Sequence, residues 1–451
     1  MNSWIKMWFA SVRRQLEERT KVQSALTNTG WLFFDRVLRL GAGLLISVWV
    51  ARYLGPSQFG ILNYALSFTA IVASFVSLGF DSIVVRELVN EPGRAGEILG
   101  TAAALRGISG IVAFVVCGAL ATIDRSTGTL GKAVIVVVAA QYLFSMFDTL
   151  DNFFQSRVRS KYPVIARNTA FLISSAVKII CLLLGASLMT FAVLVTVESV
   201  LAALGLLIVF FRRGENFHWS FRSARAMMLL RDGLPLALAG IAIMIYMKID
   251  QVMLGNMVDT HVVGLYAAAV KMVEVWYFVP MAITTSIFPY IVEARKTDPP
   301  LYKRRLQQLY DVMSLMSITL AIIITATSPL IIKALYGVQY AEAAPVLTIY
   351  IWSGVATFLG VASSQFLTAE NLTRISLWRT VVGGIVNVGL NFLLIPSYGM
   401  IGSAVATLIS YIIATFGIAM FRAGREQGVM MLKSLFFLRG LALLTGITND
   451  R

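Results

Sequence analysis

The chain reads as an all-α integral membrane protein of about twelve transmembrane helices in two six-helix lobes around a central cavity. Three observations point there. Its 451 residues are 58% hydrophobic and 14% charged, with a mean hydropathy of +0.77, far too apolar for a soluble domain of average usage. Its apolar stretches recur at a length of about 20 residues, enough to cross a bilayer as a helix. Its positive charge collects in alternate connections: among 38 Lys and Arg, only Arg52, Arg125, Lys132 and Lys333 fall in the others.

Taken in order, the spans run over residues 24–50, 59–80, 98–121, 133–154, 164–185, 188–211, 233–254, 264–290, 311–335, 345–367, 377–395 and 401–421. Lys6, Arg13, Arg14, Arg19 and Lys21 precede the first, Arg212 to Arg231 follow the sixth, and Arg295 to Arg305 follow the eighth. By the positive-inside rule both termini are cytoplasmic. A reporter active only outside is therefore expected to be silent after Arg213, Arg305 or Arg425 and active after Ser57, Thr260 or Gln339. Strong activity at Arg305 would break the twelve-span reading.

The longest inner connection sets the domain organisation. It divides the chain into a leader (1–22), an N-lobe (23–211), a cytoplasmic inter-lobe linker (212–232), a C-lobe (233–421) and a cytoplasmic or interfacial tail (422–451). In the leader, Trp4, Ile5, Trp8, Phe9, Val12 and Leu16 recur at helical spacing among charges, as in an amphipathic helix lying on the membrane; a plain cytoplasmic leader is the alternative. The apolar run Ser434 to Gly446 is short and contains Arg439, so it is expected to lie on the membrane.

Composition also excludes function classes. The net charge of +15 sits in short loops beside spans, where it serves topology and anionic headgroups, not nucleic acid. Cys117 and Cys181 fall inside apolar spans, and with only His218 and His261 beside them no metal ligand set exists. Gly128-Thr129-Leu130-Gly131-Lys132-Ala133 fails as a phosphate loop, because Ser126 stands where the first Gly is needed and Ala133 where Ser or Thr is. No cofactor is expected. Outer connections such as Gly55 to Gln58 and Pro396 to Met400 are too short to carry a catalytic domain, so the chain is not expected to be an enzyme.

A faint internal repeat links the lobes. Leu54-Gly55 is followed by Phe59-Gly60 and then Tyr64-Ala65; Leu254-Gly255 is followed by Val263-Gly264 and then Tyr266-Ala267. Two parallel six-helix halves are a transporter architecture.

Three ordered stretches carry a resemblance. Lys248-Ile249-Asp250-Gln251-Val252-Met253-Leu254-Gly255, with Val263 to Lys271 and Ile287-Phe288-Pro289, resembles the start of the second lobe in Wzx-type polysaccharide and O-antigen repeat-unit flippases. Ala51-Arg52-Tyr53-Leu54-Gly55-Pro56 with Phe59-Gly60, and Asn387 to Asn391 through Leu394 to Ala404, match them in turn. These flippases belong to the superfamily that also holds multidrug exporters and lipid II flippases. The resemblance covers about Ser24 to Arg422 and implies alternating-access transport of a lipid-linked oligosaccharide, on undecaprenyl pyrophosphate, to the outer leaflet of the bacterial inner membrane. It also implies membrane lipids and other polysaccharide-assembly membrane proteins as partners. A multidrug exporter of the same superfamily, or a membrane-embedded glycan polymerase or ligase, are the alternatives.

Such a substrate needs cations for its pyrophosphate. Within the spans lie Arg36, Arg39, Arg106, Lys178, Lys248 and Lys271, against Asp35, Asp148, Asp151, Glu198, Asp250 and Glu274. Each costs about 2.5–3.5 kcal/mol at mid-span, so they must face a cavity or one another. Asp35, Arg36 and Arg39 share one side of the first span, and Lys248, Asp250 and Lys271 reach similar depth on the seventh and eighth. Arg36, Arg39, Lys248 and Lys271 are the candidate pyrophosphate and sugar ligands. Asp35, Glu198, Asp250 and Glu274 are the candidate carriers of a coupling proton or Na⁺. Interhelical salt bridges are the structural alternative for each.

Overall fold

The computed structural model describes the backbone of residues 2–436 except 76–78, 125 and 214–217, and side chains from Gly30 onward except Thr373. The leader's side chains, Arg125 and most of the Ser434–Gly446 run lie outside the described residues.

Among the described residues fifteen α-helices follow one another: α1 (Asn2–Ser74), α2 (Asp81–Asn90), α3 (Ala95–Ile123), α4 (Gly128–Ala139), α5 (Thr149–Ser156), α6 (Lys161–Leu183), α7 (Leu188–Arg212), α8 (Ser223–Met257), α9 (Thr260–Glu274), α10 (Phe278–Thr297), α11 (Pro299–Tyr336), α12 (Ala343–Tyr350), α13 (Ser353–Ala369), α14 (Thr373–Phe416) and α15 (Arg425–Leu435). They build ten segments long and apolar enough to cross a membrane. Two of the ten double back, which makes twelve crossings. The first turns at Gly55 (φ +72°) beside Pro56 and the last at Gly399 (φ +53°) just after Pro396. Only glycine adopts such angles without steric cost, so both hairpins are written in the sequence. The eighth crossing is broken between α9 and α10 at Val275–Tyr277. Pro280 lacks the N–H that would bond the Trp276 carbonyl, and this frees that turn to tighten.

Apolar packing separates into three cores. One, at the basic end of the first half, joins Phe80, Ile98, Phe153, Phe154 and Phe210. A second, at the basic end of the other half, joins Ile291, Leu306, Tyr310, Phe358 and Met431. The third lies toward the charge-poor end and draws on both halves at once, from Val48 and Phe59 to Leu265, Tyr336 and Val346. The halves thus share a core at one end and keep separate cores at the other.

Hydrogen bonds repeat that asymmetry. Tyr340 Oη donates to the Ala51 carbonyl at 2.8 Å, Gln339 Nε2 to the Arg52 carbonyl at 2.8 Å, and Lys271 Nζ to Ser47 Oγ at 2.8 Å. Ser57 Oγ lies 3.1 Å from His261 Nδ1. Ser67 Oγ donates to Gln251 Oε1 at 2.9 Å and Asn256 Nδ2 to Tyr64 Oη at 3.0 Å. At the centre of this seal Gly60 and Gly264, the matching glycines of the repeat, press backbone to backbone: a methyl group on Gly60 would overlap the Thr260 carbonyl, and one on Gly264 the Pro56 carbonyl. Small residues let membrane helices approach this closely.

Candidate functional site

Two charged cavities lie on the basic side of the seal, one within the first half and one between the halves. One of about 290 Å³ is lined by Asp35, Arg39, Arg167, Glu198, Ser199 and Ala202. The other, about 370 Å³, runs from Asp81, Arg106, Tyr142 and Asp148 in the first half to Gly240 and Met244 of α8.

Helix geometry decides which charges meet. Asp35 and Arg39, one turn apart on α1, bond at 2.9 Å, and the Arg39 guanidinium also sits 5.5 Å from the Phe171 ring. Lys178 of α6 bonds Glu198 of α7 at 2.8 Å. Lys248 of α8 bonds Glu274 of α9 at 3.0 Å. Arg106 pairs with Asp81. Apart from Asp35–Arg39 within α1, these are the interhelical pairs that spacing left open, and together the four neutralise most of the intramembrane charge.

Three cations are not so paired. Arg36 is exposed and has no ion pair among the described residues. Lys271 bonds Ser47 Oγ and lies 4.8 Å from the Phe59 ring, with no carboxylate in its contacts. Arg379 of α14 donates to Ser363 Oγ and Ser364 Oγ, both at 2.6 Å, and to the Gly360 carbonyl at 3.1 Å. Arg379 and Arg167, which bonds Asp148 at 2.8 Å and Asp151 at 3.0 Å, escaped the sequence reading. By the boundaries above both lie inside a span, but within its first turn at the basic end, where a charge reads as part of the connection.

Asp250 stands apart from the other carboxylates. It is 3% exposed and turns away from Lys248 and Lys271 into α9 and α14. Tyr266 Oη donates to it at 2.8 Å, Thr407 Oγ1 at 2.5 Å and Asn391 Nδ2 at 2.7 Å, and Asn387 Oδ1 in turn accepts from Asn391 at 3.1 Å. Asn391 Oδ1 and Ser403 Oγ are buried there without a hydrogen-bond partner. So Asp35, Glu198 and Glu274 each hold a cationic side chain, whereas Asp250 is held by neutral donors alone. Asn387 and Asn391, one turn apart on α14, are both part of that nest.

The family model for polysaccharide biosynthesis proteins matches residues 25–295, more than half of the chain and every candidate residue from Asp35 to Glu274. The chain belongs to the polysaccharide biosynthesis protein family. Its second half, residues 235–393, also matches the MatE model. Among curated proteins, the probable low-salt glycan biosynthesis flippase Agl15 of Haloferax volcanii is 24% identical over 85% of this chain and 80% of its own length. The probable flippase AglR of the same organism is 28% identical over 37% of this chain, a match spanning 36% of AglR. Among solved structures, the lipid II flippase MurJ in an inward closed conformation superposes with a TM-score of 0.71 at 14% identity, over 94% of both chains. An inward-facing multidrug resistance MATE transporter of the MOP superfamily gives 0.67 at 15% identity, over 88% of this chain and 96% of that one. The shared fold of a multi-pass membrane transporter is what these likenesses establish.

Proposed function

We propose that the protein is a flippase for a lipid-linked oligosaccharide, with undecaprenyl pyrophosphate as the carrier, moving it from the cytoplasmic to the outer leaflet of a bacterial inner membrane. The observation that carries this reading is the charged space between two halves that are sealed together at the charge-poor end and have separate cores at the basic end. With the basic end cytoplasmic, that space is positioned to receive a headgroup from inside. Membership of the polysaccharide biosynthesis family and the two archaeal flippase relatives support a glycan cargo over a drug.

Arg36, Arg39, Lys248 and Lys271 hold the pyrophosphate in this reading. Arg36 and Lys271 have charge to spare. Arg39 and Lys248 are bound to Asp35 and Glu274, and a doubly ionised ligand competes for them through bidentate, charge-assisted bonds. Arg167 lines the first-half cavity together with Arg39. A multidrug exporter carrying amphipathic cations would gain nothing from unpaired Arg36 and Lys271.

The test is transport of a lipid-linked oligosaccharide by the purified protein in proteoliposomes, with an organic cation as the competing cargo. Arg39→Ala and Lys271→Ala are expected to abolish glycan transport and surface polysaccharide while the protein stays folded and inserted. Normal export by both variants would place the headgroup elsewhere, and loss of both proteins from the membrane would make the residues structural.

A further inference from the structure

The chain between the halves is not a free tether. Ser220 N donates to the Gly96 carbonyl at 3.4 Å, and Gly100 lies directly against the Ser220 backbone. Arg222 N donates to Thr101 Oγ1 at 3.2 Å. Arg225, only 7% exposed, spans three carboxylates: its Nε donates to Glu97 at 3.2 Å, Nη1 to Glu87 at 3.2 Å and Nη2 to Glu91 at 2.7 Å. The hydrogen bond from Arg225 holds the Glu91 carboxyl below its ordinary range. Leu229 is fully buried in the first half's basic-end core, and Arg86 bonds Asp232 at 2.7 Å. Gly79 then packs on the backbone of Leu236 and Ala237.

A few residues later the same helix belongs to the other half. Gly384 of α14 meets the Ala242 carbonyl, and the Tyr246 ring stacks on Tyr411 of α14 at 4.4 Å between centroids. Lys248 and Asp250 bond α9 and α14 as described above. Between these anchorages Leu238 is 53% exposed, and a methyl group on Gly240 would meet nothing within 4 Å. Pro235, just before, removes the hydrogen bond to the Arg231 carbonyl.

We propose that the mechanical boundary between the two halves lies within the membrane, at residues 238–241 of α8, and that Arg225 is the positioning residue that fixes the first part of α8 to the first half. Opening and closing the seal then bends α8 at Gly240 and drags the Asp250 end of the helix against its Arg225 end. The proposal rests on the alternating-access reading only in that the halves move; it is independent of the cargo.

Spin labels on the full chain in lipid nanodiscs test it without substrate. Val89, Met227 and Lys303 are exposed, on α2, α8 and α11. Distances are compared between protein cross-linked at Ser57→Cys and His261→Cys, which holds the seal shut, and Gly60→Val, which prevents it from closing. The 89–227 distance is expected to stay single and unchanged, and the 227–303 distance to shift. A shifting 89–227 distance with a fixed 227–303 distance overturns the proposal in favour of a boundary before α8. Two unchanged distances overturn it together with alternating access. Arg225→Ala is expected to broaden the 89–227 distribution, and a sharp one would remove Arg225 from the role; should that variant fail to insert, the distances in the protein with Arg225 intact still decide. Gly240→Ala, whose methyl group meets nothing within 4 Å, is expected to slow glycan transport several-fold, and full-speed transport would count against a hinge there.

Discussion

Valine at Gly60 or Gly264 is expected to abolish transport while the protein remains folded and inserted. The two glycines touch through their backbones, so even one methyl group overlaps a carbonyl of the opposite half. Overpacking of this kind costs about 1–3 kcal/mol, occasionally more, where the surroundings cannot yield. Here the obstacle is main chain, and the cost falls only on the sealed state. A bias of about 3 kcal/mol changes a two-state ratio by more than roughly a hundredfold, so the substituted protein spends nearly all its time with the seal open. Cross-linking between Ser57→Cys and His261→Cys, 3.1 Å apart as the native pair, reads the seal directly and should vanish with transport. Gly118→Ala, where a methyl group meets nothing within 4 Å, serves as the control and should be silent. Efficient cross-linking in Gly264→Val would show that the seal accommodates a side chain and that the contact is incidental.

The second large effect is expected at Asp250. Asp35, Glu198 and Glu274 have their charge met by Arg39, Lys178 and Lys248, whereas the neighbours of Asp250 offer dipoles but no cation. A buried carboxylate is expensive when its charge is not balanced. We propose that a proton or Na⁺ supplies the balance, with the oxygens of Asn391, Ser403, Thr407 and Tyr266 as its neighbours. Filling and emptying that place alters how α8, α9 and α14 attract one another, which biases one arrangement of the halves over the other. Asp250→Asn keeps the shape and, with its oxygen toward Tyr266 and Thr407 and the Asn391 amide flipped, most of the hydrogen bonds, so it should leave affinity for the lipid-linked oligosaccharide intact and remove the dependence of transport on an imposed gradient. Asp250→Ala takes the acceptor from Tyr266 and leaves Thr407 and Asn391 only the Ser403 carbonyl and Asn387 Oδ1, at about 1–3 kcal/mol for a buried donor left unmet, and should lower stability as well. Glu274→Gln instead releases Lys248 and should change headgroup affinity. Gradient-driven uptake that persists unchanged in Asp250→Asn would assign coupling to another carboxylate.

Much of the architecture was legible in one dimension. Hydropathy, charge and turn residues place the twelve crossings, because a bilayer imposes the same requirement of apolar length and interior positive charge on each segment separately. The hairpins at Gly55 and Gly399, the break near Pro280 and the paired glycines of the repeat follow from local backbone chemistry. The inventory of intramembrane charge was legible too, apart from Arg167 and Arg379, which sit close enough to a span's end to pass as part of a connection.

The sequence by itself therefore determined that this protein spans a membrane, roughly where, and which charged residues it must shelter there. Only the tertiary structure decided which charges satisfy one another. Lys248 and Asp250 are two residues apart on α8, yet one meets Glu274 and the other a neutral nest, because residues two apart on a helix point about 200° apart, to nearly opposite sides, and meet different neighbours. The same holds for the glycine seal, whose partners lie in different halves of the chain, and for Arg225, which hydropathy assigns to a linker but which three glutamates tie to the first half. Composition and spacing follow the chain one segment at a time, whereas pairing depends on how each helix is rotated about its axis, and that is set only when all of them pack together.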